Sequence, residues 1–138
     1  MSTLRTTITL DSNNLFPTPL SIKSTSTENI DGNSSSFVTN DFQPSGNEVI
    51  FQSENALGNS GILYLYCQSA NTNSDFGIDI YLTRNSDDQN VFHVARLLSG
   101  TSMFLPIYAA DTSGITINVK NNDPVNPATV QYFFGSKD

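Results

Sequence analysis

From residue 48 onward, short apolar runs alternate with polar turn clusters at nearly regular intervals. The runs are EVIFQSE (48–54), ILYLYCQS (62–69), IDIYLTR (78–84), VFHVARLL (91–98), TSMFLPIYA (101–109), ITINVKN (115–121) and ATVQYFFG (128–135). Each is rich in β-branched and aromatic residues and short enough to be a strand. In IDIYLTR the alternation is strict: Ile78, Ile80 and Leu82 share one face, Asp79, Tyr81 and Thr83 the other. ITINVKN likewise puts Ile115, Ile117 and Val119 on one side. The intervening ENALGNSG, ANTNSDFG, NSDDQN, ADTSG and NNDPVNP are turn sequences. Pro106 has no amide hydrogen for a ladder, so its strand belongs at a sheet edge or carries a bulge.

The N-terminal third is less regular. LRTTITL (4–10) predicts a strand, and LFPTPLSIKS predicts an extended segment broken by Pro17 and Pro19. Residues 1–24 therefore read as an extended arm. Residues 24–47 read as a polar loop region anchored by Ile30, Phe37, Val38 and Phe42, and a long loop of this kind in a compact domain is usually a functional loop or a flexible segment. No internal repeat, heptad or helical periodicity interrupts the pattern. The expectation is an all-β fold, a single antiparallel β-sandwich or jelly-roll-like domain of about eight strands spanning 1–138, with its regular core over 48–138.

Composition sharpens this picture. Ser, Thr and Asn make up roughly a third of the 138 residues, and only 14% are charged against a usual share of about 25%. Thirteen acidic against six basic residues give a net charge of −7, which repels phosphate backbones and anionic lipid. Nucleic acid and membrane are accordingly not expected as partners. The start, MSTLRTTITLDSNNLF, lacks the apolar core of a secretory signal, and no apolar run is long enough to span a bilayer. The single cysteine, Cys67, excludes an intrachain disulfide and a cysteine-built zinc site within one chain.

Candidate chemistry is sparse. His93 is the only histidine, so any Ser-His-Asp triad would need it as base, yet VFHVARLL carries no nucleophile motif and an ordinary strand histidine is the favoured reading. Cys67 has no basic neighbour in sequence and reads as a buried structural thiol. Asp79 with Asp75, or Asp87 with Asp88, are the nearest approaches to a glycosidase carboxylate pair, and Asp87 and Asp88 read better as turn residues. NTNSDFG (71–77) faintly matches a calcium loop, but Leu82 stands where the closing Glu belongs. Asn33 opens an N-S-S glycosylation sequon, which has no consequence without a secretory signal. Arg84 and Arg96, near strand ends, can pair with Asp or Glu of another subunit, although lone surface salt bridges are the commoner fate of such residues. Tyr64, Tyr66, Tyr81, Tyr108, Tyr132, Phe133 and Phe134 suggest a sugar-stacking platform less than a sandwich core or subunit interface, since tryptophan is absent. No catalytic, cofactor-binding or metal residue is assigned, and an enzyme is not expected.

Three C-terminal segments, LLSGTSMFLPI (97–107), ADTSGITINV (110–119) and ATVQYFF (128–134), carry a resemblance. Their leucine-glycine turn, aromatic strand closing in proline, D-T-S-G turn and final V-x-Y-x-F strand resemble small β-sandwich virion proteins of tailed bacteriophages. The match covers somewhat less than a third of the chain. The resemblance implies a non-enzymatic structural protein of the virion, made in the host cytoplasm. Its leading form is a capsid decoration or cement protein, a homo-oligomer and most simply a trimer, bound to the major capsid protein or other virion proteins. A small tail, fibre or baseplate component contacting the host is the alternative within the same class. A carbohydrate-binding module using exposed tyrosines, with calcium at Asn71 to Asp75, is the alternative outside it.

Overall fold

The computed structural model describes residues 2–31, 35–53, 61–71, 75–84, 87–108 and 114–137, with the backbone alone for 71 and 87–90. The Asn33 sequon, most of the 71–75 loop, and the turns at 54–60 and 109–113 lie outside the described residues.

Ten antiparallel strands form the fold: β1 (Ser2–Ser12), β2 (Leu20–Ile30), β3 (Ser36–Phe42), β4 (Asn47–Ser53), β5 (Ile62–Asn71), β6 (Gly77–Arg84), β7 (Asp87–Leu98), β8 (Ser102–Tyr108), β9 (Ile115–Asn121) and β10 (Ala128–Ser136). Eight of them make two four-stranded sheets, ordered β3-β10-β5-β8 and β4-β9-β6-β7, while β1 and β2 pair with each other in a sheet of two. Following the chain, β3, β5, β8 and β10 fall in the first sheet and β4, β6, β7 and β9 in the second. This two-sheet weave is a jelly roll, the expected all-β sandwich.

The core is the set of inward positions that period-two alternation selects. From the first sheet come Leu63, Leu65 and Cys67 on β5, Ala128, Val130 and Tyr132 on β10, and Ile107 on β8. The second sheet answers with Ile78 and Ile80 on β6 and Ile115, Ile117 and Val119 on β9. Burying such surfaces between two sheets is the main force that holds a sandwich. Pro106 sits on β8, at the edge of the first sheet, where no further ladder bond is asked of it. Cys67 is fully buried, and burial pushes its thiol up to about 12, as suits an inert core residue.

The N-terminal third departs from the expectation. The strand predicted over 4–10 lies within β1, but in place of an extended arm and a polar loop the chain forms a long hairpin and an additional strand. β1 and β2 pair in continuous register from Ser2 opposite Ile30 to Ser12 opposite Leu20. Beyond them β3 pairs with β10 over Phe42 to Ser36. The predicted turn NSDDQN is also shorter than expected, since Asp87 already belongs to β7. At the β3–β4 turn, the Gly46 amide donates to the Gln43 carbonyl at 2.8 Å, and Ser45 adopts φ 55, a left-handed conformation more often given to glycine.

Candidate interaction site

Asp79, Tyr81, His93 and Arg96 come together on the outer face of the second sheet, while the side chains of Asp87 and Asp88 lie outside the described residues. Asp79 is only 2% exposed although it points away from the core. Arg96, its partner across the β6–β7 ladder, grips it with Nε at 2.7 Å from Oδ1 and Nη2 at 2.8 Å from Oδ2. The hydroxyl of Tyr81 donates to Oδ2 at 3.3 Å, and Nε2 of His93 lies 3.2 Å from Oδ1. The Arg96 hydrogen bonds hold the Asp79 carboxyl well below the usual carboxylate range, at about 2, against the opposing effect of burial. The Tyr81 ring stacks on the His93 ring with centroids 4.9 Å apart. His93 thus acts as one brace of a buried carboxylate. Both oxygens of Asp79 are engaged, which leaves it unsuited to general acid or base work beside Asp75. Arg96 is paired with a carboxylate of its own chain.

A small groove of about 290 Å³ lies beside this cluster, with Asn47, Tyr81, Asn118 and Lys120 on its walls. Among the described residues, no group of three or more His, Cys, Asp or Glu could hold a metal ion.

The aromatic residues divide between the two faces of the first sheet. Tyr132 is in the core, and Phe134 packs against it and forms a T-shaped pair with Phe51, ring centroids 4.9 Å apart. The outer face carries a row that crosses all four strands, Phe37, Phe133, Tyr66 and Phe104, set side by side by register. Tyr64 stacks on Phe104 at 5.8 Å. Tyr66 donates its hydroxyl to Gln68 Oε1 at 3.0 Å, which fixes the ring on the surface. Aromatics on an outward face are available to a partner in a way that core aromatics are not.

The hairpin rises over this face. Because β1 and β2 pair residue opposite residue, even positions of both strands share one side: Leu4, Ile8, Leu10, Leu20, Ile22 and Ile30. Odd positions, among them Arg5, Thr7, Thr9, Lys23 and Thr25, form a wholly polar side. The base of the apolar side is seated. Ile30 is buried and bridges to Lys137, the Asp31 amide donates to the Ser136 carbonyl at 2.9 Å, and Lys137 Nζ meets Glu28 Oε2 at 2.8 Å. The far half is not seated. Ile8, Leu10 and Ile22 stay about half exposed, and Leu15 and Phe16 in the turn are 66% and 55% exposed. Between β1 and the aromatic row runs a cleft of about 590 Å³, with Tyr66, Phe104 and Phe133 on its floor.

The aromatics are legible in the sequence but the hairpin is not, because its strands are written in Ser and Thr and β2 buries little besides Ile30. A usable signal was present: Leu4, Ile8, Leu10, Leu20 and Ile22 all occupy even positions on either side of a Pro-containing turn.

No protein-family model and no curated protein matches the chain. A solved structure similar to it is the Yersinia pseudotuberculosis-derived mitogen (YPM), 17% identical, with a TM-score of 0.46, covering 76% of this chain and 86% of that one.

Proposed function

We propose that this chain is a non-enzymatic structural protein that assembles on a larger particle, most specifically a virion surface protein of the capsid decoration type. The observation that carries the reading is the hairpin: a 29-residue unit, Ser2 to Ile30, whose apolar side is anchored at its base and bare at its tip. A projecting apolar ridge of this kind is stabilised when a partner covers it. The virion assignment draws on the resemblance of residues 97–107, 110–119 and 128–134, which here contribute β8, β9 and β10. The braced Asp79 cluster supports a structural role over a catalytic one. Net charge of −7 suits the outer surface of a DNA-filled head.

The docking reading is tested with Leu15→Asp/Phe16→Asp, which changes only the exposed turn. The variant folds with an unchanged circular dichroism spectrum and thermal midpoint. Its binding to virions stripped of the protein falls by about tenfold or more, the scale of losing two buried apolar anchors. Undiminished binding contradicts docking through the hairpin tip.

A second reading rests on the groove beside Tyr81, where a ring, two amides and an ammonium group could hold a saccharide. A glycan array separates the two readings. Binding that disappears in Tyr81→Ala supports a carbohydrate-binding module, and no binding removes it.

A further inference from the structure

β1 is bonded on one side only. Its other edge faces no strand among the described residues, and six consecutive residues, Leu4 to Thr9, line the cleft that runs beside it, with none from β2. An edge strand with accessible amides and carbonyls is a template for another strand. The character of β1 selects which strand that is.

β1 has two charged residues, Arg5 and Asp11, placed three positions before and three after Ile8. Both are exposed, both lie on the polar side of the hairpin, and neither forms an ion pair among the described residues. A second β1 running antiparallel about a twofold axis through Ile8 sets Arg5 of each copy opposite Asp11 of the other. The same register sets Ile8 opposite Ile8 and Thr6 opposite Leu10, so the apolar sides of both hairpins merge into one. Neighbouring registers lose this match. Centring on Thr7 places Arg5 opposite Thr9, centring on Thr9 places it opposite Asn13, and a one-residue slip turns an apolar side against a polar one. Parallel pairing in register would set Arg5 beside Arg5 and Asp11 beside Asp11, which is repulsive.

We propose that the chain forms a twofold homodimer through β1, giving a continuous sheet in the order β2-β1-β1-β2. The interface is self-complementary, as a twofold contact must be, and its occupant is a second copy of this chain. The proposal deepens the assembly reading by naming one partner of the hairpin, and it sets a twofold symmetry where the resemblance implies a threefold one. The exposed tip at Leu15 and Phe16 lies outside the paired strands and stays available for the particle.

The test is size-exclusion chromatography with light scattering on the full chain over a concentration series, with Arg5→Asp, Asp11→Arg and the double exchange. Wild type is expected at twice 15.0 kDa. Each single variant places like charges opposite each other twice and weakens dimerisation by about tenfold or more, and the double exchange restores it. Circular dichroism confirms that all variants fold. A wild-type monomer at every concentration, a trimer, a dimer indifferent to Arg5→Asp, or failure of the double exchange to rescue overturns the proposal. A monomer that still binds virions removes the dimer and leaves the docking reading standing. A dimer whose Leu15→Asp/Phe16→Asp form binds virions undiminished removes the docking reading alone.

Discussion

At the scale of single residues, the outward-facing Asp79 explains much of the second sheet's surface chemistry. An acidic side chain that is 2% exposed is tolerated only with partners, and Arg96, Tyr81 and His93 supply them. Its carboxyl titrates at about 2, so the stabilisation it provides is complete above the ordinary carboxylate range and is lost as pH falls from about 4 toward 2. Replacing Arg96 with Met removes the main cause of that depression. Urea unfolding of Arg96→Met should show lower stability at neutral pH, with acid unfolding beginning about one pH unit higher than in wild type. An unchanged acid limb would mean that Asp79 does not depend on Arg96.

Among the elements, one end of the jelly roll is closed by a polar knot that links β9, the loop before β10 and the β3–β4 turn. Asn121 is fully buried and its Nδ2 donates to the carbonyls of Phe42, Gln43 and Asn126 at 3.3, 3.2 and 3.0 Å. The carboxylate of Asp123 accepts the amides of Asn126 and Val125, which lower its pKa, and the Asp123 carbonyl receives the Ser45 amide at 2.9 Å. Asn121→Ala leaves three carbonyls without this donor, and chemical denaturation should register a loss of about 2–3 kcal/mol. Legibility in the sequence followed the same physics. Strands with one apolar face, such as 78–82 on β6 and 115–119 on β9, write that face as alternation and were readable. β3, in SFVTNDF, turns only Val38 and Phe42 inward and is filled with Asn and Asp, which read as loop. The pairing of β1 with β2 was hidden because two mostly exposed strands give no core signal. The Asp79 brace was not legible: the sequence offers Arg96 a carboxylate of another subunit, and the register that joins it to Asp79 across two strands is a property of the fold.

For the whole molecule, a rigid sandwich and a projecting hairpin divide the work. The sandwich carries the acidic charge: residues 2–30 hold Arg5 and Lys23 against Asp11 and Glu28 and are neutral, so the net charge of −7 belongs to the rest of the chain. A neutral, half-apolar hairpin on a strongly acidic body can approach a second copy or a protein shell where the body alone would be repelled. The aromatic row beneath it offers a second surface of the same character, with Phe37 still 61% exposed.

The assignment to a virion surface is tested most directly by immunogold labelling and negative-stain imaging of virions assembled from the genome that encodes the chain. Regular label over the heads is the predicted result. Label confined to the tail would move the protein to the fibre or baseplate, and virions without label would contradict a structural role in the particle.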